Sequence, residues 1–290
     1  MMPALVDFRD SSFGADFAES MRKTGFGVVR GHPVKQALIK AALDEWAAFF
    51  ALPTDVKMAY KFNVQDQFGY FPFKSENAKD NKGKPDLKEF FHVYPGFAMP
   101  TETSFDAAME LRAALMDFGQ TLLDVLEGFG PKDNPYYKNL PEGTENSSNT
   151  LFRAIHYPPV QGTEEPGAVR AAAHEDINHI TLLVAGSEPG LQVKDNAGNW
   201  YDVPLDPGSI IVNVGDMLQE NSEIYKGGKP TGTYHYHSTT HRVINPGGAR
   251  PNVSRYSIPL FIHPKSSTEL SHRHTQRSYL EQRLREIGLK

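Results

Sequence analysis

His174 and Asp176 stand two residues apart in AAAHEDINHITLL, and a third candidate ligand, His241, follows 65 residues after Asp176 in STTHRV. If the first pair opens a strand, side-chain alternation turns both residues toward one face of a sheet, where they can chelate a single ion. A His-x-Asp pair by itself is weak evidence in a chain with 11 histidines. The third ligand on a separate strand gives it weight. Two imidazoles and one carboxylate form the facial set that leaves three positions open on Fe(II), although Zn2+ accepts the same donors. The chain contains no cysteine, so a metal here would be held by nitrogen and oxygen alone.

Fourteen residues past His241 comes RYSIP, in which Arg255 and Ser257 share one strand face. A guanidinium fork with a hydroxyl beside it suits a carboxylate held by paired, charge-assisted hydrogen bonds. Arg153 and Tyr157, four residues apart in LFRAIHYPP, also fall on one face of a strand. A cation placed there needs a partner. Arg153 is therefore a candidate for binding an anionic group of the substrate, with a salt bridge to a nearby carboxylate as the equal alternative. His32, His92, His263, His272 and His274 read as surface or hydrogen-bonded structural residues. Alternation turns His179 away from the metal face, and Phe90 and Phe91 read as core.

The elements that must position these residues change character near residue 148. Before it, Phe13, Phe17 and Met21 recur at helical spacing, and GFGVV (25–29) reads as a short buried strand, an α/β opening. Residues 35–51 form a helix with Leu38, Ala42 and Trp46 on one stripe, closed by Pro53, and a second short helix starts at Thr54. The polar run 74–88 reads as a mobile surface loop. The longest helix runs from about Ser104 to Glu127, with Leu111, Leu115, Phe118, Leu122 and Val125 facing a core and Gly128 as its C′ residue. After residue 148 the period becomes 2: LFRAIHY, HITLLVAG, GLQVKD, WYDVP, SIIVNVG, HSTTHRVIN and RYSIPLFI are short strands between turn residues. That density of strands predicts a closed or double-layered antiparallel sheet. A last helix aligns Leu280, Leu284 and Ile287.

With 290 residues, 39% hydrophobic and 22% charged, the chain is an ordinary globular protein. Its 30 basic and 35 acidic residues give a formal net charge of -5. Interleaved as they are, they form neither a basic stripe for nucleic acid nor a polybasic membrane anchor. No signal segment or spanning apolar run is evident, so a soluble, cytoplasmic protein is expected.

The runs HYPP, AAAHEDINHITLL, GLQV, DVPLDPGSIIVNVGDMLQ, STTHRV and RYSIPLFIHP together resemble the catalytic jelly roll of the isopenicillin N synthase-like, 2-oxoglutarate- and Fe(II)-dependent oxygenases. The resemblance spans residues 150–264, and GFGVVRGH with the following helices resembles the family's N-terminal region. It implies a mainly β fold with flanking α-helices around a double-stranded β-helix core. Residues 1–147 would form an α/β region whose long helix packs on the jelly roll, and 148–290 the core with its C-terminal helix, as one compact unit. It further implies iron ligation by His174, Asp176 and His241, and binding of the distal carboxylate of 2-oxoglutarate by Arg255 and Ser257, with Tyr157 touching the same cosubstrate. The implied reaction uses O2 to hydroxylate, desaturate or cyclise a small-molecule substrate and releases succinate and CO2, with no protein acid, base or nucleophile in the oxidising step. Isopenicillin N synthase and aminocyclopropanecarboxylate oxidase share the motifs without using 2-oxoglutarate as an ordinary cosubstrate, so that reading stays open. A non-catalytic metal-binding protein and a zinc hydrolase also remain, the last disfavoured because no general base lies near the ligands. One departure from the family stands out: ENSEIYKGGKPTGTYHY (220–236) is roughly ten residues longer than the usual turn, and its glycines and proline predict an irregular mobile loop, a candidate lid beside the His241 strand.

Overall fold

A computed structural model of the chain describes residues 2–65, 67–75, 84–184, 186–195, 197–204, 206, 208–247 and 252–286. Strand β1 (Ala4–Asp7), helix α1 (Phe13–Thr24) and strand β2 (Phe26–Arg30) form the expected opening, with β1 parallel to β2. Helix α1 buries Phe13, Phe17 and Met21 and ends at Gly25, which takes a left-handed φ of 67°. Its N–H donates to the Met21 carbonyl at 2.9 Å, the glycine cap that frees the chain to turn directly into β2.

Helix α2 (Gln36–Phe50) and the short α3 (Thr54–Met58) lead to β3 (Gly69–Phe71), β4 (Glu89–Val93) and the long α4 (Asp106–Phe129). Ile39, Ala42, Trp46 and Phe49 of α2 are buried, and the Trp46 ring lies 4.6 Å from that of Phe105 at the start of α4. The end expected at Gly128 is not observed. Helix α4 continues to Phe129, and Gly130 follows in extended conformation with its N–H on the Glu127 carbonyl. A Cβ at Gly128 would meet nothing, whereas one at Gly130 would come 2.1 Å from the Tyr137 ring. Packing, which the periodicity does not report, selects the later glycine. The mobile-loop expectation for 74–88 falls partly on residues 76–83, outside the described residues. Its far end contradicts that expectation: Asp86, Leu87 and Lys88 are buried, and the Leu87 N–H donates to the Val169 carbonyl at 3.0 Å.

The rest of the chain adds α5 (Leu140–Thr144), β5 (Leu151–Tyr157), β6 (Ala171–His174), β7 (Ile180–Val184), β8 (Leu191–Lys194), β9 (Trp200–Asp202), β10 (Ile210–Val214), α6 (Asp216–Asn221), β11 (Glu223–Lys226), β12 (Lys229–Tyr234), β13 (His241–Val243), β14 (Arg255–Ser257), β15 (Pro259–Ile262) and α7 (Gln276–Glu286). A nine-stranded sheet has the order β1-β2-β10-β7-β15-β5-β4-β3, with β14 also paired to β5, and a four-stranded sheet has the order β6-β13-β8-β9. One apolar cluster, with Phe17, Trp46, Leu115, Phe152 and Leu182, packs the helices on the large sheet. A second, with Phe26, Ile155, Ala171, Val193 and Val243, draws on strands of both sheets and fills the space between them. This is the expected mainly β fold with flanking helices. Leu280 and Leu284 are half-buried, and Ile287 lies outside the described residues. Among the described residues no helix is long and apolar enough to cross a membrane.

Residues 220–236 are not an irregular loop. Strands β11 and β12 pair antiparallel with Lys226 opposite Lys229, and Gly227 and Gly228 between them have φ of 56° and 75°. Two positive φ values are what a two-residue type I′ hairpin requires. The two glycines read as mobility in the sequence are hairpin chemistry.

Candidate active site

His174 closes β6 rather than opening a strand, and Asp176 lies in the turn before β7. The two converge because the chain bends there, not through alternation along one strand. His241 starts β13 and is the register partner of His174. His174 Nε2 and His241 Nε2 each lie 3.7 Å from Asp176 Oδ1, and the three residues offer ligand atoms that all fall within 4.8 Å of one another. His174 Nδ1 bonds to the Ala172 carbonyl at 2.8 Å and His241 Nδ1 to the Thr239 carbonyl at 3.1 Å. Each carbonyl requires the proton on Nδ1, so each Nε2 presents a lone pair toward Asp176.

The electrostatics favour the ligating states. The His174 side chain is 43% exposed, opening onto the cavity, yet desolvation by the surrounding protein, followed by the His241 ring, holds it down to about 4. Burial pushes the Asp176 carboxyl up, but the His241 and His174 rings and the donors Thr181 and Asn213 reverse this and leave it below its ordinary value. A neutral His174 imidazole beside an ionised Asp176 carboxylate suits a divalent cation.

The same cavity is lined by Arg153, Tyr157, Arg255 and Ser257. Arg255 and Ser257 stand opposite Tyr157 and Ile155 across the β14–β5 pairing, and the Arg255 guanidinium carbon lies 5.1 Å from the Tyr157 ring centre. Arg255 Nε donates to the Glu188 carbonyl at 2.9 Å, while its Nη1 is buried without a partner among the described residues. Burial lowers its pKa, yet a guanidinium stays charged at neutral pH. A buried, charged donor aimed at nothing costs free energy unless a ligand completes it, and a carboxylate fits.

Arg153 points inward from β5. Its guanidinium carbon lies 4.8 Å from the Phe90 ring centre and 5.1 Å from that of Phe261, and its Nε donates to His92 Nε2 at 2.9 Å. The alternative of a salt bridge is not found among the described residues. Phe91 joins the helix-side core. Phe90 belongs to the cluster between the sheets, one layer behind the cavity wall. His179 is fully buried and apart from the triad.

Sequence reasoning missed three polar cavity residues: Thr181, Asn213 and Lys88. Asn213 left a readable signal as the one polar side chain inside the apolar run IIVNV. Lys88 left none, because it sits in a stretch of ordinary surface composition and is buried by its pairing with Asp86 at 2.9 Å. The hairpin β11–β12 contributes nothing to the cavity lining.

Comparison with known proteins agrees with this geometry. Residues 148–264 match the family model of the 2OG-Fe(II) oxygenase superfamily, and residues 4–120 match that of the non-haem dioxygenase in morphine synthesis N-terminal region. A solved oxygenase structure from Shewanella oneidensis is 42% identical over 100% of both chains with a TM-score of 0.84. A 2OG-Fe(II) oxygenase family protein from Caulobacter crescentus is 31% identical, covering 98% of this chain and 99% of that one, with a TM-score of 0.80. A 2-oxoglutarate-dependent dioxygenase of Monascus ruber is 29% identical over 85% of this chain and 77% of its own. The chain belongs to the 2OG-Fe(II) oxygenase superfamily, with the double-stranded β-helix core of that group. It is a dioxygenase that uses Fe(II), 2-oxoglutarate and O2, which decides between the readings that the motifs alone left open.

Proposed function

We propose that His174, Asp176 and His241 hold the Fe(II), that Arg255, Ser257 and Tyr157 bind the distal carboxylate of 2-oxoglutarate, and that Arg153 binds an anionic group on a small-molecule substrate. The observation that carries this reading is the pairing of a converged two-histidine, one-carboxylate set with an Arg255 Nη1 that has no partner among the described residues, in one cavity. The chemistry that Fe(II) supplies when bound is oxidation of the substrate by O2, coupled to conversion of 2-oxoglutarate to succinate and CO2. The residues bind and orient, and none is required to move a proton.

Charge balance supports an anionic substrate. Two positive charges on iron are met by Asp176 and by one carboxylate of the dianionic cosubstrate, and its second carboxylate meets Arg255. Lys88 is met by Asp86. Arg153 is left as a half-buried cation on the cavity wall with no carboxylate on it among the described residues, and a partly desolvated cation favours one. The net charge of -5 and the absence of a basic stripe support a protein that binds neither nucleic acid nor membrane, working in the cytoplasm. We retain 1–147 and 148–290 as its two regions, acting as one unit through the shared nine-stranded sheet.

The test is succinate release from 2-oxoglutarate over a metabolite panel that pairs each carboxylic acid with its amide. Acids should stimulate release above the uncoupled background, and Arg153→Ala should raise their KM more than it lowers kcat. Equal stimulation by the amides would contradict the substrate assignment.

A further inference from the structure

Asp176 offers two oxygens, and the protein treats them differently. Oδ1 faces the two histidine Nε2 atoms at 3.7 Å. Oδ2 accepts from Thr181 Oγ1 at 2.5 Å and from Asn213 Nδ2 at 2.9 Å. These donors are register partners on neighbouring strands, Asn213 of β10 opposite Thr181 of β7, so the sheet itself sets their spacing. All three residues are buried.

The direction of the Thr181 bond is also fixed. Asn178 Nδ2 donates to Thr181 Oγ1 at 2.8 Å. A hydroxyl has one proton, and with Oγ1 accepting from Asn178, that proton goes to Asp176. Asn178 is held in turn by close packing: a Cβ on Gly215 would come 2.0 Å from Asn178 Oδ1 and 2.2 Å from its backbone carbonyl oxygen. Gly215 has a φ of -92°, which any residue adopts, so glycine is needed there for space rather than for conformation.

We propose that Thr181 and Asn213 are positioning residues that occupy the lone pairs of Asp176 Oδ2, so that only Oδ1 is available to the metal, and that Gly215 keeps Asn178 in place to orient the Thr181 hydroxyl. A carboxylate oxygen offers two lone pairs, and two donors, Thr181 and Asn213, occupy those of Oδ2. Single-oxygen ligation preserves the open coordination positions that the cosubstrates require, whereas a two-oxygen carboxylate would consume one of them. The inference rests on Asp176, His174 and His241 being the ligand set.

The experiment is a titration of the metal-free, full-length protein with Co(II), followed by its visible absorption, which reports affinity and coordination number independently of turnover. Thr181→Val and Asn213→Leu should each weaken Co(II) binding by about 10- to 100-fold and change the intensity of the visible bands. Thr181→Ser, which keeps the hydroxyl, should stay close to wild type, and Gly215→Ala, which touches no ligand, should behave like Thr181→Val. Thermal unfolding confirms that each variant is folded; Thr181→Val preserves side-chain shape and decides the matter if Asn213→Leu does not fold. Wild-type Co(II) affinity and spectrum in Thr181→Val would overturn the proposal, and a wild-type result for Gly215→Ala would overturn its outer link. His241→Ala separates the two levels: if it binds Co(II) normally, the ligand set itself is wrong, and if it alone loses binding, only the positioning role fails.

Discussion

His241 stands directly opposite His174 across the antiparallel pairing of β13 and β6, with ring centroids 4.4 Å apart. The relationship makes the proposed metal centre a property of sheet register, since slipping either strand by one residue would turn its histidine to the other face. The small sheet supplies both nitrogens and the turn after β6 supplies the carboxylate.

Removing either imidazole should therefore abolish tight metal binding without unfolding the protein. His174→Ala and His241→Ala are expected to lose the stabilisation that Fe(II) gives wild type, about 2.7 kcal/mol at 100 times the Kd, while the metal-free unfolding midpoints stay close together. Thermal unfolding under anaerobic Fe(II) and with chelator measures both. An equal Fe(II)-induced shift in wild type and variants would show that the ion binds elsewhere.

The three residues that converge, His174, Asp176 and His241, were legible in the sequence as residue types in order, and so was the strand-rich second half. The local geometry was not. His174 and Asp176 meet because the backbone bends after β6, and alternation gave the right pair for the wrong reason. The hairpin β11–β12 was misread because Gly227 and Gly228 signal both mobility and a type I′ turn, and only its pairing partner distinguishes them. Thr181 and Asn213 act through Asp176, a relation between three elements that no local pattern encodes.

The hairpin is expected to matter for stability rather than for substrate selection. Asn134 Nδ2 donates to the carbonyls of Asn221 and Glu223 at 2.9 and 2.8 Å, and the Tyr236 hydroxyl donates to the Leu126 carbonyl at 3.2 Å, so the segment is docked on the end of α4. Asn134→Ala should cost about 1–3 kcal/mol by leaving buried carbonyls unpaired, read from urea unfolding, with 2-oxoglutarate affinity unchanged. Uncoupled turnover in a fully stable Asn134→Ala protein would restore the lid.

Acid sensitivity should trace in part to His179. Its ring is fully buried, neither nitrogen has a partner among the described residues, and burial holds it down to about 3, against about 6.5 for an exposed histidine. The unfolded chain takes up this proton more readily than the folded one. The contribution is therefore complete above about pH 6.5 and is lost as pH falls toward 3, at no more than about 1.4 kcal/mol per pH unit for one proton. His179→Leu should flatten the stability profile between about pH 6 and 4 by up to that slope. An unaltered slope in denaturant unfolding across this range would show that the imidazole is not buried neutral.

The most direct measurement of the central claim is anaerobic titration of the Fe(II)-loaded protein with 2-oxoglutarate, following the visible charge-transfer band that forms when the cosubstrate chelates the ion. Wild type should give the band and saturate. Asp176→Ala should give none, and Arg255→Ala should require far more 2-oxoglutarate, a loss on the order of 2–5 kcal/mol from leaving the distal carboxylate unpaired. No band in wild type, or the same midpoint in wild type and Arg255→Ala, would contradict the assignment of this cavity as the iron and 2-oxoglutarate site.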